Sequence, residues 1–396
     1  MEKIKPIAQS AIVVDEQWDQ ALEQALEQIE GIPADVVFVF ASGEYRGHFE
    51  EIVRGVRRED GAPLVIGCSG QGIVGTDQEL EDLPSLSLLA LSLPETTLKL
   101  VHLTQAMLES CTHPQDWYNE LGIDQEGVNA WLVFADPFRM DCEALVESFS
   151  HAYPGVPMIG GLASSSGEDR FTHIFLNDEV FADGAVALAI SGEYTLLPLV
   201  SQGCEPIGEA WTITKVRGDG LIEGISNRSA YQVLIDTFQT LSPELQRRAQ
   251  RNLLVGLAAN EYQDSFERGS FLIRELRGVD RRLGVLSVSA SPRVGQTIQF
   301  QMRDAAGADL DLRSLLSETK ARLQQNQPVA ALLCTYAGRG IGMFAIPDHD
   351  AGVIARELGP IPVAGLFCNG EIGPMGGQTF LHSFTASIAL FVKRSP

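Results

Sequence analysis

Short unbroken apolar runs alternate along this chain with segments of helical period, and the alternation repeats. Val36 to Phe40 (VVFVF), Ala130 to Phe134 (AWLVF) and Ala330 to Cys334 (AALLC) have strand length. Helical spacing follows each one: Phe49, Ile52, Val53 and Val56 in the first copy, Leu145, Val146 and Phe149 in the second, Val353, Ile354 and Leu358 in the third. Each segment then ends in a proline, a few apolar residues and a glycine, at Pro63 to Gly67, Pro157 to Gly160 and Pro362 to Gly365. A Gly- and Ser-rich stretch comes next (GCSGQGIVG, GGLASSSG, GLFCNGEIG), and an apolar run closes each copy: Leu86 to Leu91, Ala185 to Ile190, Ile388 to Val392.

This pattern predicts an α/β fold of repeated strand-helix-strand-strand units forming mixed sheets flanked by helices. A strand, a helix and a second strand make a right-handed parallel crossover. The closing strand follows a longer loop, so its direction is left open. Repetition also sets comparable glycine loops on comparable strand ends, where α/β folds place their ligands. An opening helix is marked by Asp15 as cap, with Trp18, Leu22, Ala25, Leu26 and Ile29 on one face. Between the second and third copies lie helical spacing at Ala230 to Phe238, a helix start at Ser242-Pro243-Glu244 and four strand-like runs. The block from Leu253 to Val288 reads as a worn fourth copy. The chain is then two pseudo-related halves, 1–216 and 217–396, joined near the glycine-rich text from Gly203 to Gly220.

Composition narrows the class. The 396 residues are 45% apolar and 20% charged, values of a globular chain. No apolar run approaches the ~20 residues that span a bilayer. The opening MEKIKPIAQS lacks the apolar core of a secretion signal, so a soluble cytoplasmic protein is expected. The six cysteines form no CxxC pair and the histidines no zinc-ligand spacing, which predicts free thiols and no metal site. A net charge of −23 repels phosphate backbones and argues against nucleic acid. The one basic concentration, from Arg247 to Arg282, is interleaved with acids and reads as a solvated face.

Candidate chemistry comes from setting the first copy against the third. Gly67, Gly72 and Gly75 fall opposite Gly365, Gly370 and Gly373, and Ile73 falls opposite Glu371. The shared glycines are backbone requirements. The unshared carboxylate is a functional candidate. Gly338-Arg339-Gly340 follows the strand ending near Cys334, and loops after both parallel strands leave at one sheet edge, so Arg339 and Glu371 are expected near each other. One reading is a plain ion pair holding two loops together. The other is a zwitterion clamp: Arg339 grips a carboxylate and Glu371 an ammonium, in a cleft walled by Asn369, Gly370 and His382.

Other chemistries fit less well. Gly70 to Gly75 spells G-x-G-x-x-G, but the acidic text TDQELEDLPS follows where a helix should open on a pyrophosphate, and no glycine loop runs into Lys-Ser or Lys-Thr. No cofactor is called for. Cys68, Cys204 and Cys368 lie in or beside glycine-rich turns, so a cysteine-dependent enzyme is an alternative, although no histidine is near them in sequence. A protein-binding scaffold without a small ligand is a third reading.

GCSGQGIVG at 67–75, Asn177-Asp178, the GAVALAI strand and SQGCEPIGEAWTITKVRGDGLIEGI at 201–225 resemble the FIST N-terminal domain and its junction. FLIRELRGVD at 271–280, IQFQMRDA at 298–305, GRG at 338–340 and GLFCNGEIGP at 365–374 resemble the FIST C-terminal domain. The resemblance covers almost everything from about residue 35 to 392. It implies an intracellular sensory module that binds a small ligand, with amino acids the candidate class, and brings no catalytic reaction with it. Isoleucine at position 73 stands where an acidic residue is expected in the first glycine loop, so the implied site is the C-terminal one. No stretch is left over for a fused output domain, so the signal is expected to pass to a separate partner protein.

Overall fold

In the computed structural model the three apolar runs are the strands Val36–Ser42, Ala130–Ala135 and Ala330–Tyr336. Each leads through a helix (Phe49–Val56, Cys142–Ala152, His349–Leu358) into a second strand: Leu64–Gly70, Met158–Leu162 and Val363–Cys368. The structure describes residues 7–394 apart from 58–62, 167–169, 219, 262, 264–265, 267–268 and 325. Within each repeat the two strands are parallel, and their registers match: Val39 lies opposite Gly67, Val133 opposite Gly160, Leu333 opposite Gly365. A Cβ on any of those three glycines would overlap the opposing residue's carbonyl oxygen. The close backbone approach is why glycine recurs there. The closing strands Ser85–Leu91, Ala185–Gly192 and Thr385–Lys393 run antiparallel to the first strands.

The glycine stretch between second and closing strands supplies a hairpin, and each hairpin pairs with a neighbouring repeat. Gly72–Gly75 of the first repeat pairs with Val363–Cys368 of the third, Ile174–Leu176 of the second with Leu64–Gly70 of the first, and Glu371–Met375 of the third with Met158–Leu162 of the second. Three six-stranded mixed sheets result, interlocked in a ring. Strand alternation divides their side chains. Val36, Phe38, Phe40, Ala130, Leu132, Phe134, Ala330, Leu332 and Cys334 face one shared core. The alternate residues face three outer clusters covered by each repeat's own helices. The strands are therefore buried on both faces, and their sequences are continuously apolar. The fold is α/β, with mixed sheets flanked by helices.

Compactness groups Met1–Ser201, Leu312–Leu381 and Thr385–Pro396 in one unit, and Gln202–Asp311 with His382–Phe384 in another. In chain order the second unit falls between the strand Tyr194–Gln202 and the body of the helix Ala305–Leu323. Its strands pair antiparallel and run Cys204–Arg217, Thr297–Arg303, Leu253–Ala258, Phe271–Asp280, Val285–Val288, Leu221–Ile225, Arg228–Ser229, with Cys204–Arg217 pairing again to Leu221–Ile225 and closing the sheet on itself. Closure leaves few open edges. Leu253 to Val288, read from the sequence as a fourth copy, departs from that expectation. Its strands pair with one another as antiparallel neighbours, where a copy of the repeat would pair them in parallel. Short apolar runs carry strand identity but not direction, which explains the misreading. The glycine-rich text at 203–220, read as a junction, is mostly the long strand Cys204–Arg217, bent where its register shifts between Ile207 and Trp211.

Candidate functional site

Register fixes the place of Glu371. The hairpin residues facing the shared core opposite equivalent positions are Ile73 (opposite Leu366), Ile174 (opposite Cys68) and Glu371 (opposite Gly161). All three are fully buried. Two repeats fill the position with isoleucine, and the third puts a carboxylate there. Oε2 of Glu371 accepts from Thr385 N at 3.0 Å and Thr385 Oγ1 at 2.8 Å, and Oε1 accepts from Cys368 Sγ at 3.3 Å. Burial pushes the Glu371 carboxyl up to about 8; the Thr385 and Cys368 hydrogen bonds and the Arg339 charge pull the other way.

Arg339 lies in the turn after Ala330–Tyr336, with its backbone N–H donating to Tyr336 O at 2.7 Å. The side chain is 1% exposed. Its Nε and Nη2 donate to Asp350 Oδ2 and Oδ1 at 2.8 and 2.9 Å, a bidentate fork onto the first turn of His349–Leu358. Thr335 Oγ1 donates to the same carboxylate at 2.7 Å, and His349 Nδ1 lies 2.8 Å from it. The Phe344 ring stacks on His349 and sits 5.3 Å from the guanidinium carbon. Burial opposes the Asp350 charge, but Arg339 and His349 outweigh it and hold this carboxyl below its usual range. Burial likewise opposes the guanidinium charge, and Asp350, Glu371 and Glu79 outweigh it. The Nη1 atom of Arg339 is buried with no hydrogen-bond partner among the described residues. A buried unused donor on a charged fork is costly.

The first repeat's hairpin completes the cluster. Glu79 Oε1 accepts from Ala351 N at 2.8 Å, and Glu81 Oε1 accepts from Ile341 N at 2.7 Å, so both carboxylates meet backbone donors at helix starts. Burial, and then the nearby Asp350 charge, push the Glu79 carboxyl up to about 8.

The expected site residues are only partly brought together. Parallel pairing sets Tyr336 beside Cys368, so the two loops do leave one sheet edge, and Arg339 and Glu371 act on each other electrostatically. Arg339, however, takes Asp350 as its ion-pair partner, and both expected site residues are buried where an open cleft was expected. Asp350 sits on the next helix within reach of the fork, which explains the choice. Gly338 is half-buried, and Gly340 is buried where a Cβ would overlap the Glu81 carboxylate. Asn369 is exposed and donates from Nδ2 to Ala163 O at 3.1 Å. Gly370 is buried, its carbonyl accepting from Leu162 N. His382 is buried and is grouped by compactness with Gln202–Asp311. Asp350, Glu79 and Thr335 were missed as site residues. Asp350 reads in the sequence as an ordinary carboxylate at the start of a helical segment, and Glu79 carried no local signal because it arrives from another repeat.

All six cysteines are free and buried. Burial raises Cys68, Cys334 and Cys368 well above an ordinary thiol, and the Glu371 carboxylate adds to this for the last two. Among the described residues no group of three or more His, Cys, Asp or Glu side chains is placed to hold a metal ion. Among the same residues no helix is long and apolar enough to cross a membrane.

The fold and this cluster coincide with a family assignment. The chain belongs to the FIST family, with a FIST N domain over residues 35–227 and a FIST C domain over 230–374, a family associated with sensory signal transduction. It is 33% identical over 374 residues to an uncharacterized protein of Mycobacterium bovis, covering 94% of each chain. An uncharacterized protein of Mycobacterium tuberculosis matches equally, with 95% of its length covered. Among solved structures, a cyanuric acid hydrolase from A. caulinodans aligns over 98% of this chain and 100% of its own at 10% identity, with a TM-score of 0.36. A likeness of that size carries no argument about activity.

Proposed function

We propose that this protein is a cytoplasmic sensory protein that binds a small polar ligand, with amino acids the leading class, between Arg339 and Glu371 and passes the signal to a separate protein partner. One observation carries the reading. A buried, unused guanidinium donor lies within electrostatic reach of a carboxylate planted where the sister repeats hold isoleucine. Arg339 Nη1 takes the ligand carboxylate while Asp350 holds the rest of the fork. Glu371 gives up its proton and takes the ammonium. The short helix Ile341–Phe344 and the residues up to Asp348 move aside to admit the ligand. Ile341 and Ile346 are about half exposed there, and Ala345 and Asp348 adopt left-handed backbone. Free buried thiols support a reducing compartment, and the acidic balance supports a partner other than nucleic acid. The rival cysteine enzyme needs a thiolate, which burial disfavours at Cys68 and Cys368, two of its three candidates. A thermal-shift screen of the twenty amino acids and small polar metabolites tests the proposal. At least one raises the melting temperature; a flat response across the panel rejects it in favour of the scaffold reading.

A further inference from the structure

The helix Trp18–Gln28 lies against Phe49–Val56, and the crossing is tight at Gly55, where a Cβ would press on the Leu22 side chain. A groove of about 580 Å³ runs beside this crossing. Its floor is apolar: Leu22 is buried, Leu26 half-buried, and Trp18 half-buried with its ring stacked on His48 at 4.9 Å. Its rim is acidic throughout, from Asp19, Glu23, Glu27 and Glu30 with Glu51 across from them, all exposed. None of the five pairs with a basic side chain among the described residues; Arg54, the cation of the second helix, is taken by Glu50. Asp19, Glu23 and Glu27 are one turn apart, a spacing at which like charges destabilise a helix.

We infer that this groove docks a basic amphipathic helix of a partner protein. Charge decides the class of partner, because an anionic lipid surface or a nucleic acid would be repelled by the same rim. Geometry decides the form. Carboxylates about 6 Å apart along one helix match Lys or Arg residues one turn apart on a helix laid alongside, whose apolar face meets Trp18, Leu22 and Leu26. The inference stands on different residues from the ligand site and is independent of that reading.

The test is titration of a fluorescein-labelled fourteen-residue Leu/Lys amphipathic peptide, with a Lys/Ser peptide of equal charge as control. The Leu/Lys peptide binds the full chain at least tenfold more tightly than the control. The triple variant Glu23→Gln, Glu27→Gln, Glu51→Gln weakens that binding at least tenfold. The variant Glu109→Gln, Glu120→Gln, Glu126→Gln, which removes the same charge from other exposed positions, leaves it unchanged. Circular dichroism melts confirm that each variant is folded. Absence of binding, equal binding of the control peptide, or equal weakening in the distant variant overturns the inference, the last two by showing attraction to net charge alone.

Discussion

Glu371 occupies in the third repeat the position that Ile73 occupies in the first: each lies on an exchanged hairpin, fully buried, facing the shared core. Glu371→Ile therefore restores the side chain that the fold uses elsewhere. It leaves the Thr385 N–H and hydroxyl and the weakly donating Cys368 thiol without their acceptor, of which the rigid backbone N–H is the main loss, about 1–3 kcal/mol. It also buries an isoleucine, a gain of about 1.5–3 kcal/mol. The two nearly cancel, so stability in urea changes by less than about 2 kcal/mol. Unfolding of this variant would show that the carboxylate is a strut.

Asp350 behaves differently. It holds a fully buried guanidinium through two hydrogen bonds. Asp350→Ala leaves that charge unpaired and destabilises the chain by about 3–5 kcal/mol, read from the shift in urea midpoint. A change under about 1 kcal/mol would mean that Arg339 finds another partner.

The two raised carboxyls set a pH dependence. Glu79 and Glu371 titrate near 8 in the folded chain against an ordinary 4.5. Between those values the folded state binds more protons than the unfolded, so stability falls as pH rises from about 5 to 8. Each group contributes a slope of at most about 1.4 kcal/mol per pH unit. Asp350 works in the opposite sense. Its lowered carboxyl contributes stability that is present above the ordinary carboxylate range and lost on acidification. Urea unfolding at pH 5, 6, 7 and 8 shows the decline, and Glu371→Ile flattens it. Stability that rises over this interval would contradict the assignment.

Much of this was legible in the sequence. The three strand-helix-strand units announce themselves because strands buried on both faces must be apolar throughout, and because Gly67, Gly160 and Gly365 cannot carry a Cβ against the facing carbonyl. The contrast of Ile73 with Glu371 was readable for the same reason, since matched glycines fix the alignment. The hairpin exchange was not. It brings Glu79 and Glu81 to helix starts more than 250 residues away in sequence, at Ala351 and Ile341. The choice of Asp350 over Glu371 by Arg339 was hidden too, because helix phase and side-chain reach decide it. Leu253–Ala258 and Phe271–Asp280 were legible as strands but not as antiparallel neighbours, because strand text carries no direction.

The central claim is that Arg339 and Glu371 hold one small zwitterion. Its most direct test is calorimetric titration of wild type and Glu371→Ile with the amino acid that gives the largest thermal shift, at pH 6, 7 and 8. Wild type binds it saturably, and binding tightens up to about tenfold per pH unit towards 8, as Glu371 ionises. The folded Glu371→Ile variant shows no detectable binding. Equal affinity in the two proteins would contradict the claim.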